Sequence, residues 1–174
     1  MHADTDTKMP PRRRHGCVVL ITDDDHRILL VKPTYKHQDE ERGWQLPGGH
    51  AHANEPIAEA GERELLEETG LSRTLTHVLL VDQVPANPET GSAEGVNFVL
   101  EGGYLTSDEA NRVTLPPSAA HELSALKWVD LGELDAHTFP YQARRIRAAA
   151  AHRAFLSMPL YESGVPLAPG PGSE

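Results

Sequence analysis

The sequence predicts a single domain of mixed α/β (α+β) class, and three observations carry that expectation. Short β-branched and apolar runs outnumber helical segments and alternate with them irregularly. Two longer segments have helical character, one strongly acidic and one rich in Ala and Arg. No internal repeat interrupts them, and no run approaches the roughly 18 uninterrupted apolar residues of a membrane span. With 174 residues, 39% hydrophobic and 24% charged, the chain is long enough to bury a core and ordinary in composition for a globular domain.

Residues 1–14 are polar, include Arg12-Arg13-Arg14 next to prolines, and read as a disordered leader. They contain no apolar stretch of the kind a secretory signal needs, so a cytoplasmic location is the default expectation. The apolar runs Gly16–Thr22 and Arg27–Lys32, separated by Asp23-Asp24-Asp25-His26, read as a hairpin. A charged loop over 33–43 leads to Trp44-Gln45-Leu46-Pro47-Gly48-Gly49, whose paired glycines permit tight backbone geometry. A helix is expected from about Pro56 to Thr69, with proline at its start and Gly70 past its end. Strands are expected over Leu75–Val84, Val96–Leu100 and Leu123–Val129, and a last helix over Phe139–Leu156. The domain is thus expected to span 15–158, with the Pro/Gly-rich residues 159–174 as a loose tail.

A net charge of −10 argues against a general binder of duplex nucleic acid, which needs a positive surface. Cys17 is the only cysteine, so an internal disulfide and a multi-cysteine zinc site are excluded, and its place in an apolar run suggests a small core residue. The acidic helix is the informative segment. At about 100° per residue, Glu64, Glu67 and Glu68 fall on one flank, beside an apolar face made by Ile57, Gly61 and Leu65. Like charges four apart on a helix repel, and Arg63 is the one cation among Glu59, Glu62, Glu64, Glu67 and Glu68. A bound divalent ion would supply the missing charge, and all-oxygen ligands suit magnesium first and manganese or calcium next. A solvated acidic face produces the same charge excess, and the charges by themselves leave both readings open.

The segment Gly49–Leu71 resembles the Nudix box, G-x5-E-x7-R-E-U-x-E-E-x-G-U with U a bulky aliphatic residue. Gly49, Glu55, Arg63, Glu64, Leu65, Glu67, Glu68, Gly70 and Leu71 fill every specified position. The resemblance implies a Nudix-type α/β/α sandwich with a mixed β-sheet, the box forming a loop–helix–loop. It implies hydrolysis of the pyrophosphate of a nucleoside diphosphate linked to another moiety, with Mg2+ or Mn2+ as cofactor. It also implies roles: Glu64, Glu67, Glu68 and the Gly49 carbonyl as metal ligands, and Glu55 and Arg63 orienting them through salt bridges. The general base is expected to be Glu64 or a glutamate outside the box, for which Glu122 is the candidate. Two positions depart from common family usage: His52 stands where a glutamate is frequent and Asn54 where a glycine is frequent.

Tyr35 and Trp44 are candidates for stacking on a base, and Lys36 and Arg42 for contacting phosphates, although core packing and solubilising charge account for such residues equally well. His50 and His52 offer nitrogen donors near the box, with exposed loop histidines as the plainer account. A small nucleotide is the expected partner, a homodimer is expected by resemblance, and no membrane contact is expected. The alternative to an enzyme is a Nudix-like sensor that binds a nucleotide without turning it over.

Overall fold

Strand β1 (Arg14–Asp23) passes through the middle of the sheet, and its side chains divide between two cores. Cys17, Val19 and Ile21 pack on one face with Ala60 and Leu65 of helix α1 (Ile57–Thr69). Leu20 and Val18 pack on the other with Ala143, Ile146 and Ala149 of helix α4 (Pro140–Arg153). The two-residue period of a strand produces this division, and burial on both faces explains the nearly unbroken apolar run. The computed structural model describes residues 12–36, 41–89, 91–155, 157–162 and 165–166.

The remaining strands are β2 (Ile28–Pro33), β3 (Gly48–His50), β4 (His77–Val84), β5 (Gly95–Leu105), β6 (Leu123–Val129) and β7 (Met158–Pro159). They assemble in the order β6-β2-β1-β5-β4-β7, with β3 also paired to β1. The β1–β5 pair is parallel and the other pairs are antiparallel, so the sheet is mixed. With α1 on one face and α4 on the other, the architecture is the expected α/β/α sandwich. Short helices α2 (Ser107–Ala110) and α3 (Leu134–His137) and a hairpin of β8 (Tyr161–Glu162) with β9 (Val165–Pro166) complete the described chain. Among the described residues no helix is long and apolar enough to cross a membrane.

The hairpin, α1 and β6 form where the sequence pattern places them, and three features differ. Arg14, expected in a leader, begins β1 opposite Gly95, and the preceding Arg13 pairs its side chain with Glu94 at 2.6 Å. Parallel pairing with β5, a long-range event, extends the strand backwards. β5 itself runs past its expected end at Leu100, through Glu101-Gly102-Gly103 to Leu105. Gly102 continues the strand because a Cβ there would strike Val19 and Ile21 across the sheet. Part of the expected loose tail also forms structure, since Pro159 pairs with His77 at the edge of β4 and Tyr161–Glu162 pairs with Val165–Pro166. Residues 1–11 and 167–174 lie outside the described residues.

Gly61 sets how closely α1 approaches the sheet. A Cβ at this position would collide with the methyl groups of Leu100 and Leu75. The helix therefore sits low enough for its flanking carboxylates to be half enclosed by the backbone of β3.

Candidate active site

Two glycines make the first part of the site. Gly48 has φ +134°, and a Cβ there would lie 2.7 Å from the Val18 Cα of the neighbouring strand. Only glycine tolerates that conformation and that approach together. Its N–H donates to Glu68 Oε2 at 2.7 Å. At Gly49 a side chain would occupy the space filled by the Glu64 carboxylate. The β3 backbone thus lies directly against two carboxylates from α1.

Arg63 is the organising cation. Its Nε and Nη2 grip both oxygens of Glu55, at 2.7 and 3.0 Å. Nη1 donates to Glu64 Oε1 at 2.9 Å and Glu67 Oε2 at 3.3 Å, and Nη2 also donates to the His50 carbonyl at 3.2 Å. All five guanidinium N–H groups have acceptors this way, and the fork against Glu55 is of the strong charge-assisted kind. Glu55 also accepts the His52 N–H at 2.7 Å. The Arg63 bonds first, and that backbone bond second, hold its carboxyl down at about 2. Between them, Asn54 has φ +63°. Asparagine is among the few residues other than glycine that visit this region readily.

The five helix glutamates divide by surroundings. Glu59 is exposed, and Glu62 accepts the Leu75 N–H at 2.8 Å, a fold-holding contact. Glu67 is exposed beyond Arg63. Glu64 is largely enclosed and Glu68 is buried, 7% exposed. Burial, opposed by the Gly48 N–H and aided by the charges of Glu64, Glu122 and Glu67, pushes the Glu68 carboxyl up to about 8. Among the described residues no three His, Cys, Asp or Glu side chains converge on one point as a closed metal cage. The donor set fits a hard divalent ion nonetheless. Magnesium commonly takes one or two carboxylates and completes its shell with water and substrate phosphates, and Glu68 is a buried carboxylate with no cationic partner among the described residues.

Glu64 and Glu68 open into a cleft of about 1120 Å³. Gly48, Gly49, His50, His52, Tyr35 and Glu122 line it as well. Glu122 projects from the turn before β6, which Thr34 pins through bonds from its N–H (2.7 Å) and hydroxyl (3.0 Å) to the Glu122 carbonyl. His50 stands 3.1 Å from the Arg14 guanidinium, and burial first, then that charge, lowers its pKa.

Other sequence candidates lie elsewhere. Trp44 packs against the α4-side core with the Lys32 and Lys127 ammoniums 5.9 and 5.7 Å from its ring, and it is not among the residues lining the cleft. Arg42 is exposed, near enough to Asp135 to act on its charge, and does not line the cleft. Lys36 ends the 3-10 turn Thr34–Lys36, and its side chain lies outside the described residues. Cys17 is fully buried, and its thiol is pushed up to about 11, by burial above all, which removes it as a nucleophile.

The cleft also has a wall that the sequence reading did not name. Arg14, Asp82, Asn97, Tyr141, Gln142 and Arg145 line it. Two signals were present: an aspartate inside the apolar strand β4, and arginines inside the Ala-rich helix α4. Nothing in the sequence pairs one with the other, because they are 63 residues apart.

Comparison with known proteins agrees with this architecture. The model of the NUDIX domain matches residues 11–150. A Bacillus subtilis (strain 168) protein named "Putative 8-oxo-dGTP diphosphatase" is 30% identical over 132 residues, 75% of this chain and 76% of that protein. An ADP-ribose pyrophosphatase of Methanocaldococcus jannaschii is 33% identical over 91 residues, 51% of this chain and 53% of that protein. Among solved structures, a MutT NUDIX hydrolase from Burkholderia pseudomallei superposes with a TM-score of 0.61 at 25% identity, covering 79% of this chain and 98% of that one. A MutT protein from Methanosarcina mazei Go1 shares the fold with a TM-score of 0.61 at 21% identity, over 84% of this chain and 96% of that one. Box, fold and relatives point the same way, and the chain belongs to the Nudix family as a MutT-like pyrophosphohydrolase.

Proposed function

We propose that the protein hydrolyses, with a divalent metal ion, the pyrophosphate bond of a nucleoside diphosphate linked to another moiety: a (d)NTP, ADP-ribose or a nucleotide sugar. The observation that carries this reading is the pair of enclosed carboxylates, Glu64 and Glu68, abutting the β3 backbone at the edge of a cleft large enough for a nucleotide.

Glu64, Glu68 and the Gly49 carbonyl would hold the ion, magnesium or manganese, with Glu67 completing the set from the exposed flank. Once bound, the ion polarises a phosphoryl oxygen and offsets the charge that gathers on the leaving phosphate. Arg63 and Glu55 act as positioning residues, because their fork fixes the carboxylate of Glu64 without reaching the cleft. Glu122 is our candidate for general base. It lines the same cleft as Glu68, and among the described residues its ion-pair partner is His121, at 3.3 Å, rather than an arginine. It accepts a proton from water as that oxygen bonds to phosphorus and the bridging P–O bond breaks. Glu64 is the alternative base, already engaged by Arg63.

The test is phosphate or pyrophosphate release over (d)NTPs, ADP-ribose and nucleotide sugars with magnesium, repeated with manganese, alongside calorimetric titration of magnesium alone. Turnover of one class that is lost in Glu64→Gln and Glu68→Gln supports the reading. Near-wild-type rates in both variants overturn it, and magnesium binding without turnover of any compound favours a nucleotide sensor.

A further inference from the structure

A second cavity, of about 470 Å³, lies at the C-terminal end of α1 and shares no lining residue with the cleft. Its volume falls within the range of small-molecule sites. The walls come from the end of α1, the end of β5, α2 and the segment 112–116. Pyrophosphate cleavage uses none of these residues.

Leu71, Leu105, Val113 and Pro116 give the cavity an apolar lining, and three charged side chains, Arg73, Glu109 and Arg112, stand around it. Glu109 is committed to the fold. Its Oε2 accepts the Thr106 N–H at 2.8 Å and the Thr106 hydroxyl at 3.0 Å, closing the capping box of α2. Those bonds, the backbone one first, hold its carboxyl below the usual glutamate value, so it stays ionised. Arg73 and Arg112 both lie near enough to act on that charge, yet neither forks it. Arg73 Nη2 stops 4.0 Å from Oε1, beyond hydrogen-bonding distance. Its Nη1 donates to the Ser72 carbonyl at 3.4 Å, and Arg112 Nε donates to the Asp108 carbonyl at 2.9 Å. Among the described residues the Nη groups of Arg112 have no acceptor. Two guanidiniums and one carboxylate leave a single positive charge in excess here, on a chain whose net charge is −10.

We infer that this cavity is a second ligand site, which takes a monocarboxylate carried on a short branched aliphatic body. One negative charge matches the excess positive charge, and a carboxylate fits the planar fork of a guanidinium. The aliphatic body covers Leu71, Leu105, Val113 and Pro116, whose apolar surface otherwise faces water. Charge balance around Glu109 accounts for one arginine. The second arginine and the apolar lining are left for a ligand. A phosphate dianion matches neither the charge nor the lining.

Titration of the isotope-labelled full chain with isovalerate, followed through its amide NMR shifts, tests the site without any turnover. The expected result is saturable binding with a dissociation constant on the order of 1 mM, modest because so small a ligand makes few contacts. The shifts should concentrate on Gly70, Leu71, Arg112 and Val113 and spare Gly48 and Gly49 in the cleft. Acetate, which lacks the aliphatic body, should bind at least about tenfold more weakly. Isoamyl alcohol, which lacks the charge, should do the same, as should inorganic phosphate. Arg112→Met and Arg73→Met should each weaken isovalerate by about fivefold or more and leave isoamyl alcohol unchanged. Thermal melts report whether each variant folds. Failure to saturate, shifts that map to the cleft instead, acetate or phosphate binding as tightly as isovalerate, or unchanged affinity in folded Arg112→Met overturns the inference.

Discussion

The two ends of the cleft are built by opposite strategies. The box end draws its groups from one continuous segment: Glu55, Arg63, Glu64 and Glu68 lie within fourteen consecutive residues, together with the adjoining Gly48-Gly49. Helical periodicity and one arginine fork arrange them, so their geometry follows from local rules. The far end draws Gly16, Asp82, Asn97 and Arg145 from three strands and the last helix, and only sheet pairing brings them together. Chemistry common to a family is encoded in a contiguous motif, and the groups that would distinguish one substrate from another are scattered along the chain.

Substitutions can test that contrast, starting with the largest effect. Glu64→Gln or Glu68→Gln should lower kcat by about 10³-fold or more, since each removes a charge of the proposed metal site worth several kcal/mol. Steady-state rates across a magnesium titration check this. Arg63→Ala should cost about 10- to 100-fold in magnesium affinity while the cleft stays open, because it frees Glu64 and Glu55 without touching substrate. Arg145→Met, at the other end, should raise KM and leave kcat nearly unchanged. It should also destabilise the fold by about 1–2 kcal/mol in denaturant unfolding, less than a fully buried pair because Asp82 is partly exposed. Equal loss of kcat in Arg145→Met and Glu64→Gln would erase the distinction between the ends.

Glu68 gives the box end a stability signature of its own. Its carboxyl, near 4.5 in an unfolded chain, is raised to about 8 by burial in the metal-free fold. A raised folded-state value means the stability is fully present below 4.5 and is lost as the pH climbs through 8. Melting temperature of the metal-free protein should therefore fall across that window. Glu68→Gln should flatten the slope and stabilise the metal-free protein at pH 7 by on the order of 2 kcal/mol while abolishing turnover. A slope unchanged in Glu68→Gln would show that another group carries it. The smallest effect concerns α1 as a platform. Gly61→Ala should destabilise by about 1 kcal/mol in spite of alanine's better helix propensity, because its methyl must displace Leu100 and Leu75.

Much of the architecture was legible before any coordinate. The apolar run Cys17–Ile21, the punctuation of α1 by Pro56 and Gly70, and the limits of β6 all reflect local physics. The misses have physical reasons as well. Arg13 and Arg14 read as a leader because their ordering depends on β5, some 80 residues away. Trp44 reads as a stacking surface because an aromatic beside a glycine loop looks the same whether it faces a cleft or a core; packing against the α4-side cluster decides. Tyr141 went unnoticed because a helix start near a proline carries no sign of what lies opposite.

By itself the sequence determined the family, the class of fold and the carboxylates of the box, because these depend on composition, period and spacing within short windows. Only the tertiary structure decided which of five helix glutamates is enclosed, which aromatic rings face the cleft, and that Asp82, Asn97 and Arg145 share one wall. Burial and cross-strand register join residues whose separation along the chain is far larger than any local pattern can span.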